Sequence, residues 1–288
     1  MQTLFFHHGA LGDSVLLWPL LRVLGDVSFV TAWGKAKLAA HRLENIRAVS
    51  DESPELTRLH GPGLEAERFD RIRMLLGDAD RVISFVSDGA DAWAQNVRRL
   101  YPNASFDFLP TRPPPGSTDH VLDFWARRLN VAPIQLPARS IPAGPIVIHP
   151  GSGGVAKCWP PERFDALLDR LNNAQRSVTL LLGEVEREKL DPRWPQHWSK
   201  KCHVVEPKDY IELADQLSRA SLYIGNDSGP THLAAQLGVP TLALFGPTDP
   251  KVWSPTGPQV RVLAPPRPAP MSWLDVENVM QTIAQHDG

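Results

Sequence analysis

The residues best suited to chemistry in this sequence follow an apolar, strand-like stretch at residues 220–224. A short turn after it holds Asp227, Ser228 and Gly229, and a helix-like segment at residues 231–237 comes next. The first N–H groups of a helix have no internal partner, and the helix dipole adds partial positive charge there. Glycine lets a phosphate approach the backbone because it has no Cβ atom. The pattern predicts a site for a nucleotide diphosphate, with Asp227 accepting a hydrogen bond from a ribose or sugar hydroxyl.

A histidine and a second glycine turn accompany this predicted anion site. His232 is about one turn into the helix, where it either donates to a phosphate oxygen or simply packs against its neighbours. A second strand-like stretch at residues 241–245 ends in another Gly-Pro turn at residues 246–250. Both turns follow strands, so a parallel sheet would bring them to the same edge.

Another glycine-rich loop follows the strand-like residues 146–149. It contains Ser152 and is followed by Lys157, so backbone N–H groups, a hydroxyl and an ammonium group are available to hold a diphosphate. The loop lacks the Gly-Lys-Ser/Thr sequence of a P-loop. The alternative interpretation is a flexible loop with a solvated lysine.

Acidic residues follow the buried strand that the sequence predicts at residues 177–182. Glu184 and Glu186 can accept hydrogen bonds from ribose hydroxyls. They can equally be surface charges at the start of a helix, where the dipole favours negative charge. The sequence leaves both interpretations open.

The amino-terminal loop, after the first predicted strand, offers a fourth cluster. Gly9 and Gly12 allow a ligand to approach the backbone, and Asp13 stands where a helix begins. Asp13 is either a general base or the N-cap residue of that helix, a position that favours Asp. The spacing is not a complete G-x-G-x-x-G fingerprint. Because a third ligand is missing, His7 and His8 do not predict a metal site.

Composition limits the classes of function. The chain has 288 residues, 42% of them hydrophobic, which suits two α/β domains or one large one. Its formal net charge is -2, so no overall basic field attracts nucleic acid or anionic lipid. We find no stretch near the roughly 20 apolar residues of a membrane span and no signal-peptide pattern. Cys158 and Cys202 favour a reduced cytoplasmic compartment over a disulfide, and their spacing offers no zinc site.

Short strands and helices alternate along both halves of the chain, which predicts two parallel-sheet domains with a cleft between them. The Pro-rich residues 131–145 are the expected boundary. We assign residues 1–143 to an N-terminal domain and residues 144–270 to a C-terminal domain. Residues 271–288 are expected to form a helix that packs back on the N-terminal domain.

Three segments of the chain resemble the heptosyltransferase-like glycosyltransferases of family 9. They are the Gly-x-x-Gly-Asp of residues 9–13, the His-Pro-Gly-Ser loop with its lysine and tryptophan at residues 149–159, and the long run at residues 226–250. The resemblance implies an α/β fold of the GT-B class, with two Rossmann-like domains facing a cleft. It also implies an inverting transfer of heptose from ADP-heptose to the inner core of lipopolysaccharide, with no metal or other cofactor.

Matched by motif, the resemblance implies a role for each candidate residue. Asp13 would be the base, with Gly9 and Gly12 in the acceptor-side loop. The N-terminal domain would take the acceptor, and Glu186, or Glu184, would bind the ribose of the donor. The donor-binding residues would be Ser152, Lys157, Glu186, Asp227, Ser228, Gly229 and His232. The chain departs from many members in being shorter and in having His7 and His8 where they carry Arg or Lys, and these departures concern the acceptor more than the donor.

The resemblance also implies partners and a location. The expected partners are a nucleotide-sugar donor and a glycan or lipid-linked acceptor, without nucleic acid. The expected location is the cytoplasm, with at most peripheral contact at the inner face of the inner membrane. Two rival functions stay open: a sugar-nucleotide epimerase or hydrolase on the same fold, and a nucleotide-binding module without catalysis. An NAD-dependent dehydrogenase would need the complete dinucleotide fingerprint that the chain lacks.

Overall fold

The computed structural model describes residues 1–134, 136–138, 140 and 142–285, with all their side chains except those of Glu184 and Val185. The chain divides into two compact units, Met1–Ile134 and Gln135–Gly288. The division falls within the Pro-rich residues 131–145. Residues 286–288, the end of the expected C-terminal segment, lie outside the described residues.

The first unit is built on a five-stranded parallel sheet in the order β3-β2-β1-β4-β5. The strands are β1 (Gln2–Phe6), β2 (Asp26–Thr31), β3 (Ile46–Ser50), β4 (Arg81–Ser84) and β5 (Ser105–Phe108). The helices are α1 (Leu11–Leu16), α2 (Trp18–Leu21), α3 (Trp33–Arg42), α4 (Pro54–Thr57), α5 (Ala66–Leu76), α6 (Ala92–Leu100) and α7 (Val121–Leu129), with a 3₁₀ turn at Arg58–His60.

The second unit is built on a six-stranded parallel sheet in the order β11-β10-β9-β6-β7-β8. The strands are β6 (Ile146–His149), β7 (Val178–Leu181), β8 (His203–Val205), β9 (Leu222–Asn226), β10 (Thr241–Leu244) and β11 (Val260–Leu263). The helices are α8 (Pro161–Asn173), α9 (Glu184–Lys189), α10 (Arg193–Trp198), α11 (Tyr210–Ser218), α12 (Gly229–Gln236), α13 (Pro250–Trp253) and α14 (Val276–Ala284), with 3₁₀ turns at Val155–Lys157 and Met271–Trp273.

In both sheets the strand order changes direction beside the first strand. The chain adds strands on one side of β1 or β6, and then returns to the other side with β4 or β9. At such a switch point the loops after the two neighbouring strands lead away from each other, and α/β proteins bind ligands there, beyond the carboxyl ends of the strands. The loops after β1, β6 and β9 are those that contain most of the predicted site residues.

The hydrophobic core of the second unit includes its last helix. Ile148 of β6 and Ile224 of β9 are fully buried and pack with residues of α8. The C-terminal helix, which we expected to pack on the N-terminal domain, contributes Val279 and Ile283 to this core and contacts α8. Val279 and Ile283 lie four residues apart, so they share one face of α14. That apolar face is covered within the second unit.

Pro19 interrupts the first helical segment of the chain. α1 ends at Leu16, and α2 begins at Trp18 with Pro19 in its first turn. Proline is tolerated there because an N–H group in the first turn of a helix has no intrahelical partner. The interruption therefore takes the form of two short helices.

The helices, cysteines and acidic or histidine side chains of the described residues show neither a membrane span nor a metal cluster. None of the helices there is both long enough and apolar enough to cross a bilayer. Cys158 and Cys202 are free, half-buried thiols. Within the same described ranges, no three His, Cys, Asp or Glu side chains are grouped so that they could hold a metal ion.

Candidate functional site

The second unit brings three of the predicted donor-binding residues together around a fourth, Asp227. Lys157 Nζ donates to Asp227 Oδ2 at 2.7 Å, and His232 Nε2 lies 3.6 Å from Asp227 Oδ1. Ser152 Oγ donates to the backbone carbonyl of Asp227 at 2.7 Å. These contacts join the loops after β6 and β9, which are adjacent strands at the switch point of the sheet. The two loops that the sequence predicts separately thus form one polar cluster.

The carboxylate of Asp227 is buried and negatively charged. Burial opposes its ionisation, but hydrogen bonds and charge from His232 and Lys157 outweigh burial and lower the pKa of Asp227 to about 2. The side chain of Asp227 is 7% exposed, whereas that of Lys157 is 35% exposed. The ammonium group of Lys157 is therefore the part of this ion pair that an incoming anion can reach.

The lowered pKa of Asp227 predicts an acid-sensitive contribution to stability. The unfolded carboxyl ionises near pH 3.8, so the contribution is fully present above that pH and is lost as pH falls toward about 2. The advantage of the parent over Asp227→Asn in free energy of unfolding should shrink by about 2 kcal/mol between about pH 5 and about pH 2. Urea denaturation across this range measures the difference. A constant difference would contradict the ionised state of Asp227.

Ser228 and Gly229 form the start of α12, two residues earlier than the sequence predicts. Ser228 is the N-cap residue with extended backbone, and its hydroxyl contacts Thr231 Oγ1 at 3.1 Å. Gly229 and Pro230 are the first two helical residues. Proline suits this position because it has no N–H group to satisfy. The helix therefore begins directly beside Asp227 and directs its N-terminal partial charge to this cluster.

Asn226 fixes the loop after β6, although the sequence analysis assigned it no role. It is fully buried, and its Nδ2 donates to the carbonyl of Pro150 at 2.7 Å. Its Oδ1 accepts from the backbone N–H of Trp159 at 3.0 Å. Because the Asn226 side chain binds both ends of the loop, the backbone that carries Lys157 is held in place. An amide that ends a buried strand is the signal that could have identified it.

Glu186 lies beneath the glycine-rich loop. Its Oε2 accepts from the backbone N–H of Gly183 at 2.7 Å and lies 3.4 Å from His149 Nε2. Burial opposes the charge of Glu186, but the contacts with His149 and Gly183 lower its pKa. Its side chain is only 4% exposed, so in this state Glu186 supports the loop, and its contact with a ribose stays a prediction. The side chain of Glu184, the alternative, lies outside the described residues.

The position of Glu186 predicts unequal effects of two neighbouring substitutions. A Cβ atom on Gly151 would lie 1.5 Å from Glu186 Oε1, whereas a Cβ on Gly153 would meet no described atom within 4 Å. Gly151→Ala should therefore lower the free energy of unfolding by about 1–3 kcal/mol, because the carboxylate must leave its partners. Gly153→Ala, the matched control, should change it by less than about 1 kcal/mol. Equal melting temperatures for the two variants would contradict this packing.

The first unit places Asp13 at the third residue of α1. The N-cap residue is Ala10, so the interpretation of Asp13 as the N-cap is wrong. Asp13 Oδ2 accepts from the backbone N–H of Ala10 at 3.1 Å, which leaves Oδ1 for another partner. A Cβ on Gly9 would lie 2.5 Å from the ring of His7 and 2.8 Å from Asp13 Cβ, so the loop requires glycine there. Gly12 is the second residue of the helix.

Lys35 is a further charged group at this edge of the first sheet, and sequence reasoning missed it. Its Nζ donates to the carbonyl of Gly9. Burial lowers the pKa of Lys35, and the charges of Asp51 and Asp13 oppose that effect. Burial, together with Lys35, lowers the pKa of His7 to about 3, so His7 is neutral. The signal for Lys35 was its place just after β2, the strand beside β1.

Each unit is Rossmann-like, with a polar loop at the switch point of its parallel sheet. The chain belongs to glycosyltransferase family 9 (heptosyltransferase), whose family model matches residues 116–280. A curated relative is lipopolysaccharide heptosyltransferase 3 of Escherichia coli, 31% identical over 116 residues. That alignment covers 38% of this chain and 33% of the relative, so it spans about a third of the relative's length.

Solved structures extend the likeness to nearly the whole chain. The chain is similar to E. coli heptosyltransferase WaaC with ADP, with a TM-score of 0.70 and 19% identity. The likeness covers 99% of this chain and 99% of that one. It is also similar to a family 9 glycosyltransferase from Veillonella parvula, with a TM-score of 0.73 and 19% identity, over 97% of this chain and 95% of that one. The predicted α/β fold of the GT-B class, with two Rossmann-like parallel-sheet domains, is confirmed.

Proposed function

We propose that this protein is an inverting, metal-independent glycosyltransferase. It moves a sugar, heptose, from a nucleotide-diphosphate donor, ADP-heptose, to a glycan acceptor of the lipopolysaccharide type. The observation that supports this most is the pairing of Lys157 with Asp227 at the switch point of the second sheet. Membership of family 9 and the fold shared with WaaC, which was solved with ADP, support the same function.

The donor diphosphate binds between the glycine-rich loop and the start of α12. Lys157 supplies a cation there, and Gly229 permits close approach of the phosphate to the backbone. The N–H group of Gly229 and the dipole of the helix add partial positive charge without a metal ion. His232 lies in the first turn of the same helix. Together these groups can offset the charge of a diphosphate.

Asp227 is better suited to bind the donor sugar than to bind the diphosphate. A carboxylate with a pKa of about 2 is negative at neutral pH and repels phosphate oxygens. It accepts hydrogen bonds well from hydroxyls, which a sugar offers in number. Lys157, which contacts Asp227 Oδ2, can then lie between the carboxylate and the diphosphate.

Asp13 acts as the general base in the first unit. An acceptor hydroxyl is a weak nucleophile, so Asp13 takes its proton as the acceptor oxygen bonds to the anomeric carbon of the donor. The bond from that carbon to the diphosphate breaks, and the diphosphate leaves with the bonding electrons. Lys157 and the start of α12 stabilise this charge as it develops. Attack on the face opposite the leaving group inverts the anomeric centre.

Donor binding tests the first half of this proposal. ADP-, UDP- and GDP-sugars should be compared for the rise in melting temperature, since a ligand that binds only the native state stabilises it. We expect stabilisation by the ADP-sugar and less by the others. The control is Lys157→Ala, in which the stabilisation should be largely lost.

Turnover tests the second half and separates the rival functions. A transferase releases ADP only when both the donor and a glycan acceptor are present. Release without an acceptor would indicate a hydrolase, and conversion of the donor into another sugar nucleotide would indicate an epimerase. Binding without any turnover, over a panel of truncated lipopolysaccharide acceptors, would indicate a module without catalysis.

A further inference from the structure

The turn after β10, residues 246–250, stands out in the sequence but has no part in the mechanism above. A Cβ on Gly246 would lie 2.4 Å from the sulfur of Met271, so this position packs tightly. Asp249 is the N-cap residue of α13 and accepts from the backbone N–H of Lys251 at 2.9 Å. Gly246 and Asp249 therefore have structural roles in this turn, whereas Thr248 has neither of these roles.

The hydroxyl of Thr248 reaches the centre of the donor cluster. Its Oγ1 donates to Asp227 Oδ2 at 2.8 Å. The same carboxylate oxygen accepts from Lys157 Nζ at 2.7 Å, and the other oxygen faces His232 Nε2 at 3.6 Å. Oδ2 therefore has two donors, a charged one on the loop after β6 and a neutral one on the turn after β10.

This arrangement matters when an anion approaches Lys157. A buried carboxylate that loses a hydrogen-bonding partner pays a large desolvation cost, so Asp227 resists the departure of the lysine. A second donor on the same oxygen lowers that cost, because Oδ2 keeps one hydrogen bond when Lys157 turns toward a phosphate. Thr248 can do this without adding charge, and its turn is fixed by Gly246 and Asp249.

We propose that Thr248 is a positioning residue for donor binding: its hydroxyl holds Asp227 Oδ2, so that Lys157 is free to be shared with the diphosphate. The proposal rests on the proposed function, since it needs a diphosphate at this site. Thr248 is the third residue of the Gly-Pro-Thr-Asp-Pro turn. Its hydrogen bond to Asp227 connects the turn after β10 with the loop after β9 and so places this turn at the donor site.

Binding of ADP, measured by titration calorimetry, tests this role with a matched pair of variants. Thr248→Val keeps the shape of the side chain and removes the hydroxyl, and we expect it to raise the Kd for ADP by about 5- to 20-fold. Thr248→Ser keeps the hydroxyl and should stay within about twofold of the parent. An unchanged Kd for Thr248→Val, or equal weakening in both variants, would overturn the proposal.

A double-mutant cycle separates positioning from a general loss of structure. In the Asp227→Ala background the hydroxyl has no carboxylate to hold, so adding Thr248→Val should leave the Kd for ADP unchanged. Full additivity of the two substitutions would overturn the proposal even if Thr248→Val melts at a lower temperature.

Failure of the parent itself to bind ADP, UDP and GDP would overturn the proposed function and the role of Thr248 together. Binding by the parent with no effect of Thr248→Val would overturn the role of Thr248 alone.

Discussion

Asp13→Asn is expected to reduce sugar transfer by about 10²- to 10⁴-fold while the Kd for the donor stays within about twofold. Asparagine has nearly the size of aspartate, and its Oδ1 can still accept the N–H of Ala10 that Asp13 Oδ2 accepts now. It cannot take a proton from an acceptor hydroxyl. The folded loop should therefore survive while the chemistry is lost. Initial rates with saturating donor and acceptor, together with calorimetry of donor binding, measure the two effects separately.

Asp123→Asn is the matched control for this prediction. Asp123 is the third residue of α7, as Asp13 is of α1, and both lie in the first unit. The control removes the same charge from the same helical position, so it reports any general effect on stability. Transfer by Asp13→Asn at the rate of the parent would show that Asp13 is not the base. Equal loss of activity in both variants would show that helix stability, not proton transfer, was affected.

Lys157→Ala is expected to raise the Kd for ADP by about 10- to 100-fold. The substitution removes the cation that would meet the diphosphate. It also leaves the buried carboxylate of Asp227 without its ion-pair partner, so the remaining negative charge repels the ligand. Both effects act in the same direction, which makes this the largest expected change in donor affinity. Titration calorimetry with ADP measures it.

Lys189→Ala provides a lysine control near the same loop. Lys189 Nζ donates to the carbonyl of Gly153 at 3.0 Å, so this lysine also contacts the glycine-rich loop, but it does not contact Asp227. We expect its Kd for ADP to remain within about threefold of the parent. If the two lysine variants lost affinity equally, general attraction by positive charge would explain binding, and the specific role of Lys157 would be refuted.

Most of the fold could be predicted because local sequence signals agreed with the final structure. β6 has the bounds that the sequence predicts, residues 146–149. The sequence missed β11 and α13, since β11 is an edge strand with little burial and α13 is a single turn that begins at a proline. Such elements are set by their neighbours in space rather than by their own periodicity.

The candidate site was predictable where its residues lie in glycine-containing loops directly after predicted strands. Ser152, Lys157 and Asp227 stand out because they follow strands in glycine-rich loops, and the structure brings them into contact. Lys35 and Thr248 were not assigned roles. Each contacts a residue that follows a neighbouring strand of its sheet, Gly9 after β1 and Asp227 after β9. Which parallel strands are neighbours decides such contacts, and a single sequence does not state that order.

The burial of Glu186 shows a different limit of sequence reasoning. An acidic residue after a buried strand is typical of a surface position or of a hydroxyl-binding position. Here the side chain turns inward, where the N–H of Gly183 and the ring of His149 compensate its charge. The missing Cβ of Gly151 provides the space that it fills. Four residues from two segments, 149–151 and 183–186, determine this position together.

The proposed function requires that the second unit binds a nucleotide diphosphate beside Lys157 and the start of α12. A crystal structure of the protein with ADP would locate the two phosphates. We expect electron density for both within hydrogen-bond distance of Lys157 Nζ and of the backbone at Gly229. Phosphates bound elsewhere on the protein, with Lys157 still paired to Asp227 alone, would contradict it.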